Sequence, residues 1–128
     1  MIRRIRLVTE SAPSLTIELH DRNPETVKKV LEALPIESRA QLWGEELYFE
    51  TPVEVKLENP QIVVEVGDVA YWPPEKCICI FFGKTPISTG NEIRAYSKVN
   101  VFGRVMEDPK VLTVVEEGER VKLEPYGL

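Results

Sequence analysis

The sequence predicts a mostly-β domain carrying one long helix. Three observations point there. Apolar residues alternate with polar ones over short stretches, as in Ile5 and Leu7, or Leu15, Ile17 and Leu19, which is the period of a half-buried strand. Clusters of Pro, Gly, Ser and Asp interrupt these stretches every few residues, as turns between strands require. Only residues 24–34 carry apolar groups at helical spacing. With 128 residues, the expectation is a single domain spanning 1–128, long enough to bury a core without disulfides or metal.

Taken in order, Ile5 and Leu7 alternate with Arg4 and Arg6, and Leu15, Ile17 and Leu19 alternate with Thr16 and Glu18. These two strands are expected to pair as a hairpin across the turn 11–14. Asn23 then suits a helix N-cap, Pro24 the first helical position, and Glu25 the positive end of the helix dipole. Val27, Val30, Leu31 and Leu34 fall on one stripe, and Pro35 stops the helix. Residues 39–50 read as a second hairpin turning at Gly44-Glu45. A two-residue turn puts Trp43 opposite Glu46, Leu42 opposite Leu47 and Gln41 opposite Tyr48. Ala40, Leu42, Leu47 and Phe49 then face the core, while Arg39, Gln41, Trp43, Glu46, Tyr48 and Glu50 face the other side.

Further strands are expected at 52–56, 62–66 and 69–72, the last stopped by Pro73-Pro74. Residues 77–82 are apolar on both faces and read as an interior strand. Residues 83–91 read as a loop and 98–106 as a strand. Residues 107–112 suit one short helical turn, and 120–124 a last strand.

The formal net charge is −5 and the sequence pI is near 5.0. This balance argues against nucleic acid and anionic membrane as partners, because both need clustered Lys and Arg. No apolar run approaches the roughly 20 residues that span a bilayer. The basic start Arg3, Arg4, Arg6 leads to Glu10 rather than to an apolar signal segment, so the expected location is cytoplasmic. Scarce Asn and Gln beside abundant Glu, Lys and Arg lean towards a thermophile source. Cys77 and Cys79, two residues apart in a strand, are poorly placed for a disulfide and read as core thiols in a reducing compartment. Only His20 could join them as a soft metal ligand, so no metal and no cofactor are expected.

Leu15-Thr16-Ile17-Glu18-Leu19-His20-Asp21-Arg22-Asn23-Pro24-Glu25-Thr26, running into the helix, is similar to the second strand and first helix of cyclophilins, the peptidyl-prolyl isomerases. Val101-Phe102-Gly103-Arg104-Val105 resembles their late Val-Phe-Gly-Lys-Val strand. Trp43-Gly44-Glu45-Glu46-Leu47-Tyr48-Phe49, Gly67 to Pro73 and Ile80 to Ser88 resemble a narrower group of small, uncharacterised cyclophilin-like proteins of archaea and bacteria. The resemblance implies a closed antiparallel barrel of about eight strands with one long helix across an opening. Active cyclophilins carry an arginine after Phe-His on the strand following the first helix. Here Arg39 occupies that strand without Phe-His, and His20, the sole histidine, lies before the helix.

Two motifs have simpler explanations than chemistry. Gly83-Lys84-Thr85 lacks the earlier glycine and the following helix of a phosphate loop, and Pro86 comes next. His20 has no serine or cysteine that the sequence places beside it, so a local polar contact near Asp21 is expected. Arg39, Gln41, Trp43, Glu46 and Tyr48 are the candidate ligand-binding residues. Arg39 offers a fork for a carboxylate or carbonyl and the aromatics offer stacking area. Tyr71, Trp72, Phe81 and Phe82 are further possible linings or core. The expected function is binding of a small molecule or extended peptide. The alternatives are a divergent prolyl isomerase using Arg39, which needs only one well-aimed donor, and, by analogy with related barrels, a protein partner role as accessory subunit of an amide-hydrolysing complex.

Overall fold

A computed structural model describes residues 3–126. In chain order it contains β1 (Arg4–Thr9), β2 (Leu15–Leu19), α1 (Pro24–Ala33), β3 (Ile36–Arg39), β4 (Gln41–Leu42), β5 (Glu46–Glu50), β6 (Gln61–Val64), β7 (Asp68–Trp72), a 3₁₀ turn Pro73–Glu75, β8 (Cys77–Phe81), β9 (Ile93–Val105), a 3₁₀ turn Pro109–Val114 and β10 (Arg120–Pro125). The fold is mostly β and all strand pairings are antiparallel, in the order β3-β10-β1-β2-β9-β7-β8-β5-β4, with β6 on β9. The expected first hairpin is present, with Ile5 opposite Ile17 and Leu7 opposite Leu15.

The expected closed barrel is not formed by strand pairing. The ladder path is open, ending at β3 on one side and β4 on the other. These two ends are consecutive in the chain and only Ala40 separates them. The Ala40 N–H donates to Glu119 O at 2.8 Å, and its carbonyl accepts from Gly118 N at 2.8 Å. Beyond Ala40 the chain leaves β10 and pairs with β5. The sheet therefore curls until its ends meet through the chain, with no ladder between them.

Alternation sorts the side chains into two cores. The larger contains Ile5, Leu7, Leu15, Ile17, Leu19, Leu47, Phe49, Ile78, Ile80 and Phe102, with Val27, Leu31, Leu34 and Leu42 packed against it. Each fully buried Leu, Ile or Phe contributes about 1.5–3 kcal/mol by leaving water. The second core lies on the opposite face of β8 and contains Cys77, Cys79 and Phe81 with Val64, Ala70, Ile93, Ala95 and Val99. It exists because β9 is long. Its later half sits in the main sheet, with Leu19 opposite Gly103 and Tyr71 opposite Asn100. Its first half pairs with β6, with Val64 opposite Ile93, and packs over the outer face of β8.

Three local expectations are corrected. Residues 52–56 form no strand; Pro52 lacks a ladder donor, and the segment is fixed instead by buried Val53, whose carbonyl accepts from the Tyr71 hydroxyl. The strand expected at 98–106 begins earlier, at Ile93. Asn23 occupies the N-cap position without capping. Its Nδ2 donates to Val101 O at 2.7 Å and its Oδ1 accepts from Asn59 N at 2.7 Å. The helix N-terminus is capped from outside by Glu58, whose carboxylate accepts from the N–H groups of Glu25 and Thr26 at 3.0 and 2.9 Å. Among the described residues, no helix is long and apolar enough to cross a membrane.

Candidate functional site

The Gly44-Glu45 turn sets the site. Trp43 N–H donates to Glu46 O at 3.0 Å and Glu46 N–H donates to Trp43 O at 3.2 Å, so the turn has two residues and the register is the expected one, with Gln41 opposite Tyr48 and Leu42 opposite Leu47. Gly44 has φ +60, and a Cβ there would lie 2.8 Å from Pro86 Cδ and 2.9 Å from Lys84 O. Only glycine meets both demands. The 83–91 loop thus lies against the turn, where Glu45 N–H donates to Lys84 O at 2.9 Å.

From this turn, period-two alternation sends Leu47 and Phe49 inward and Glu46 and Tyr48 to the opposite face. On that face Tyr48 is opposite Cys79 of β8, and Cys77 is opposite Trp72 of β7. The first half of β9 supplies Ala95, Tyr96 and Val99. With Trp43, Glu46, Tyr48, Trp72, Glu75 and Cys79, they wall a cavity of about 290 Å³. The Tyr96 ring centroid is 5.7 Å from that of Trp43 and 5.7 Å from that of Trp72, both edge-on. Tyr96 is 69% exposed, so it bridges the two indoles on the solvent side. Trp72 is held by its Nε1–H, which donates to Ser97 Oγ at 2.6 Å.

Glu46 is the unusual group here. It is 6% exposed, and among the described residues no Lys, Arg or His side chain pairs with it. Burial pushes its carboxyl up to about 7, against a hydrogen bond from the Cys79 thiol that favours ionisation. The same burial, reinforced by the Glu46 charge, pushes the Cys79 thiol far up, and burial raises Cys77 to about 12. Neither is a thiolate at neutral pH, so neither is an activated nucleophile. Burial, then the charge of Glu117, raises the Tyr48 phenol. None of the wall residues is basic.

Of the five residues predicted for the site, the structure brings together Trp43, Glu46 and Tyr48. Gln41 pairs with Tyr48 across the hairpin but does not wall the cavity. Arg39 lies apart, in an open groove with Glu37, Arg120 and Lys122, and its Nη1 donates to Gly118 O at 3.2 Å. The physical reason is the change of partner at Ala40, because alternation does not carry a side chain from β10's neighbour into β5's groove. Trp72 joins the wall, whereas Tyr71, Phe81 and Phe82 are buried in the two cores or at their edge. Sequence reasoning missed Tyr96 and Glu75. The alternation of buried Ile93 and Ala95 with Arg94 and Tyr96 was a usable strand signal.

His20 lies in a separate polar pocket with Arg22, Asp68 and Arg104, where its Nδ1 accepts from Arg22 N at 3.4 Å. Burial and then Arg22 lower its pKa, while burial raises that of Asp68. Residues 83–92 contain no helix, and Thr85 is tied to Arg94 O at 2.5 Å, as a turn would be.

A family model described as Cyclophilin-like matches residues 3–124. The chain belongs to the cyclophilin-like family. No curated protein matches it. The solution structure of the hypothetical protein AF2241 from Archaeoglobus fulgidus is similar at 48% identity and a TM-score of 0.84, over 98% of this chain and 95% of that one. The likeness supports a small prokaryotic cyclophilin-like group.

Proposed function

We propose that this cyclophilin-like domain binds a small molecule, or one side chain of an extended peptide, in the cavity between β5, β8 and the first half of β9. The observation that carries this reading is the convergence of Trp43, Tyr48, Trp72 and Tyr96 on a cavity of about 290 Å³ that also holds the buried Glu46 carboxyl. An apolar wall with a few polar groups is the usual make-up of a ligand pocket, and the volume suits a small ligand or head group. The domain is proposed to hold its ligand without reacting with it. Both cysteines are held protonated, and His20 lies in another pocket. The isomerase alternative rests on Arg39, which lines a separate groove with Glu37, Arg120 and Lys122, and no specific observation favours it.

A fragment screen by protein-observed NMR tests this reading. Trp43 and Trp72 are the two tryptophans of the chain, so their indole N–H resonances report on the cavity directly. Binders are expected to shift both resonances and to be lost in the Trp43→Ala, Tyr96→Ala double variant. Fragments that bind only in the Arg39 groove, or a library with no binder at all, would refute it.

A further inference from the structure

We propose that the occupant of the cavity is an organic cation, a protonated or quaternary amine whose charge meets Glu46 among the rings of Trp43, Tyr48, Trp72 and Tyr96. This rests on the cavity being a binding site and names the class of its ligand.

Charge and ring chemistry argue together. Aromatic faces carry negative potential and attract a cation within about 6 Å of the ring, and cages of several rings recognise quaternary ammonium groups. The charged groups on the wall are Glu46 and Glu75, with no Lys, Arg or His. An anion would meet two carboxyl groups and no donor of positive charge. A neutral apolar ligand would leave Glu46 buried against hydrocarbon with only a thiol for company, which burial penalises. A cation answers both. It supplies the partner that Glu46 lacks among the described residues, and it meets rings rather than competing charges.

The exposure pattern agrees. Glu46 sits at the bottom, 6% exposed, while Tyr96 at the solvent side is 69% exposed. Tyr96 thus lies at the mouth of the cavity, where its ring can meet a guest.

The proposal carries a proton linkage. The titratable groups around Glu46 are Tyr48 on its own strand, Cys77 and Cys79 on β8, Tyr96 on β9 and Glu75 on the adjoining turn. Burial keeps the two thiols and Tyr48 protonated through pH 8. Glu46 changes charge near 7, so a cation that needs its carboxylate binds better as pH rises through that value.

The test compares choline with 3,3-dimethyl-1-butanol, its uncharged isostere, by tryptophan fluorescence. At pH 8, choline is expected to bind at least about tenfold more tightly than the alcohol. Glu46→Gln should weaken choline at least about tenfold while leaving the alcohol within about twofold. Choline carries a fixed charge, so its affinity for the wild type should fall by up to about 90-fold from pH 8 to pH 5, as Glu46 protonates around 7. Should Glu46→Gln fail to fold, the wild-type pH profile and Trp43→Leu, read through Trp72, decide the matter; Trp43→Leu should hurt choline far more than the alcohol. Equal binding of both probes, or a flat pH profile, overturns the cation and leaves the binding reading standing. No choline binding at up to about 100 mM, while fragments still shift the indoles, does the same. Failure of the fragments as well removes both.

Discussion

Beneath the N-terminus of α1, the side chains of Asn23, Thr26 and Asn100 are fully buried, and each polar group has a partner. Asn100 accepts from Glu58 N at 2.9 Å and donates to Thr26 Oγ1 at 3.1 Å and Lys56 O at 3.0 Å. Thr26 Oγ1 donates to Glu58 at 2.7 Å. In the aromatic cavity, Glu46 is nearly as buried, and among the described residues its hydrogen-bond partner is the Cys79 thiol. The first network joins α1 to β9 and the 56–59 segment, and its saturation is what a structural role needs. The second holds a charge-bearing group with spare acceptor capacity beside an open volume. Such a group weakens the fold unless something outside the chain completes it.

If the first region is structural, breaking it should be the largest effect. Asn100→Ala leaves the Glu58 N–H and the Lys56 carbonyl without their partner and removes one donor from the Thr26 hydroxyl, and should cost about 3–4 kcal/mol in urea melts. A loss below about 1 kcal/mol would show that water replaces the side chain and that the two regions are not so different.

Glu46 should behave in the opposite sense. Its folded-state carboxyl is raised from 4.5 to about 7, so the folded state holds a proton that the unfolded state has released. Stability from this group is intact below about pH 4.5 and is lost as pH rises through about 7, on the order of 3 kcal/mol in all. Glu46→Gln should remove that decline. Because the buried amide also needs partners, the variant should be more stable than wild type by only about 1–2 kcal/mol at pH 8. A variant less stable than wild type at pH 8 would mean that Glu46 is a structural anchor.

The smallest effect belongs to the helix cap. Glu58→Ala should cost about 1 kcal/mol at pH 7. Burial works against its ionisation, but hydrogen bonds from the Thr26 hydroxyl and the Glu25 and Thr26 N–H groups hold its carboxyl below the ordinary value. Its contribution is therefore present above about pH 4.5 and fades as pH falls through the lowered value, so wild type and variant should converge in acid. A gap that persists in acid would deny the cap.

Local pattern made much of this legible. The hairpin register followed from Leu42, Leu47 and Phe49 alternating about Gly44, because a one-residue slip would bury charges and expose leucines. The helix followed from its apolar stripe and flanking prolines. What escaped depends on distant segments. Arg39 lies outside the cavity because the chain changes partner at Ala40, an event set by β10 and β5. Glu46 was expected on a part-wet face and is buried because the first half of β9 folds over it, and the Pro- and Gly-rich loop before Ile93 masked that half. The N-cap passed from Asn23 to Glu58 because Asn23 is needed by Val101 and Asn59, contacts that no local pattern encodes.

The most direct test of the contrast is an NMR titration of the Glu46 carboxyl carbon, free and with saturating choline. The account predicts a midpoint near 7 in the free protein and a clear fall once the cation is bound. A midpoint in the ordinary carboxylate range, unmoved by choline, would contradict it.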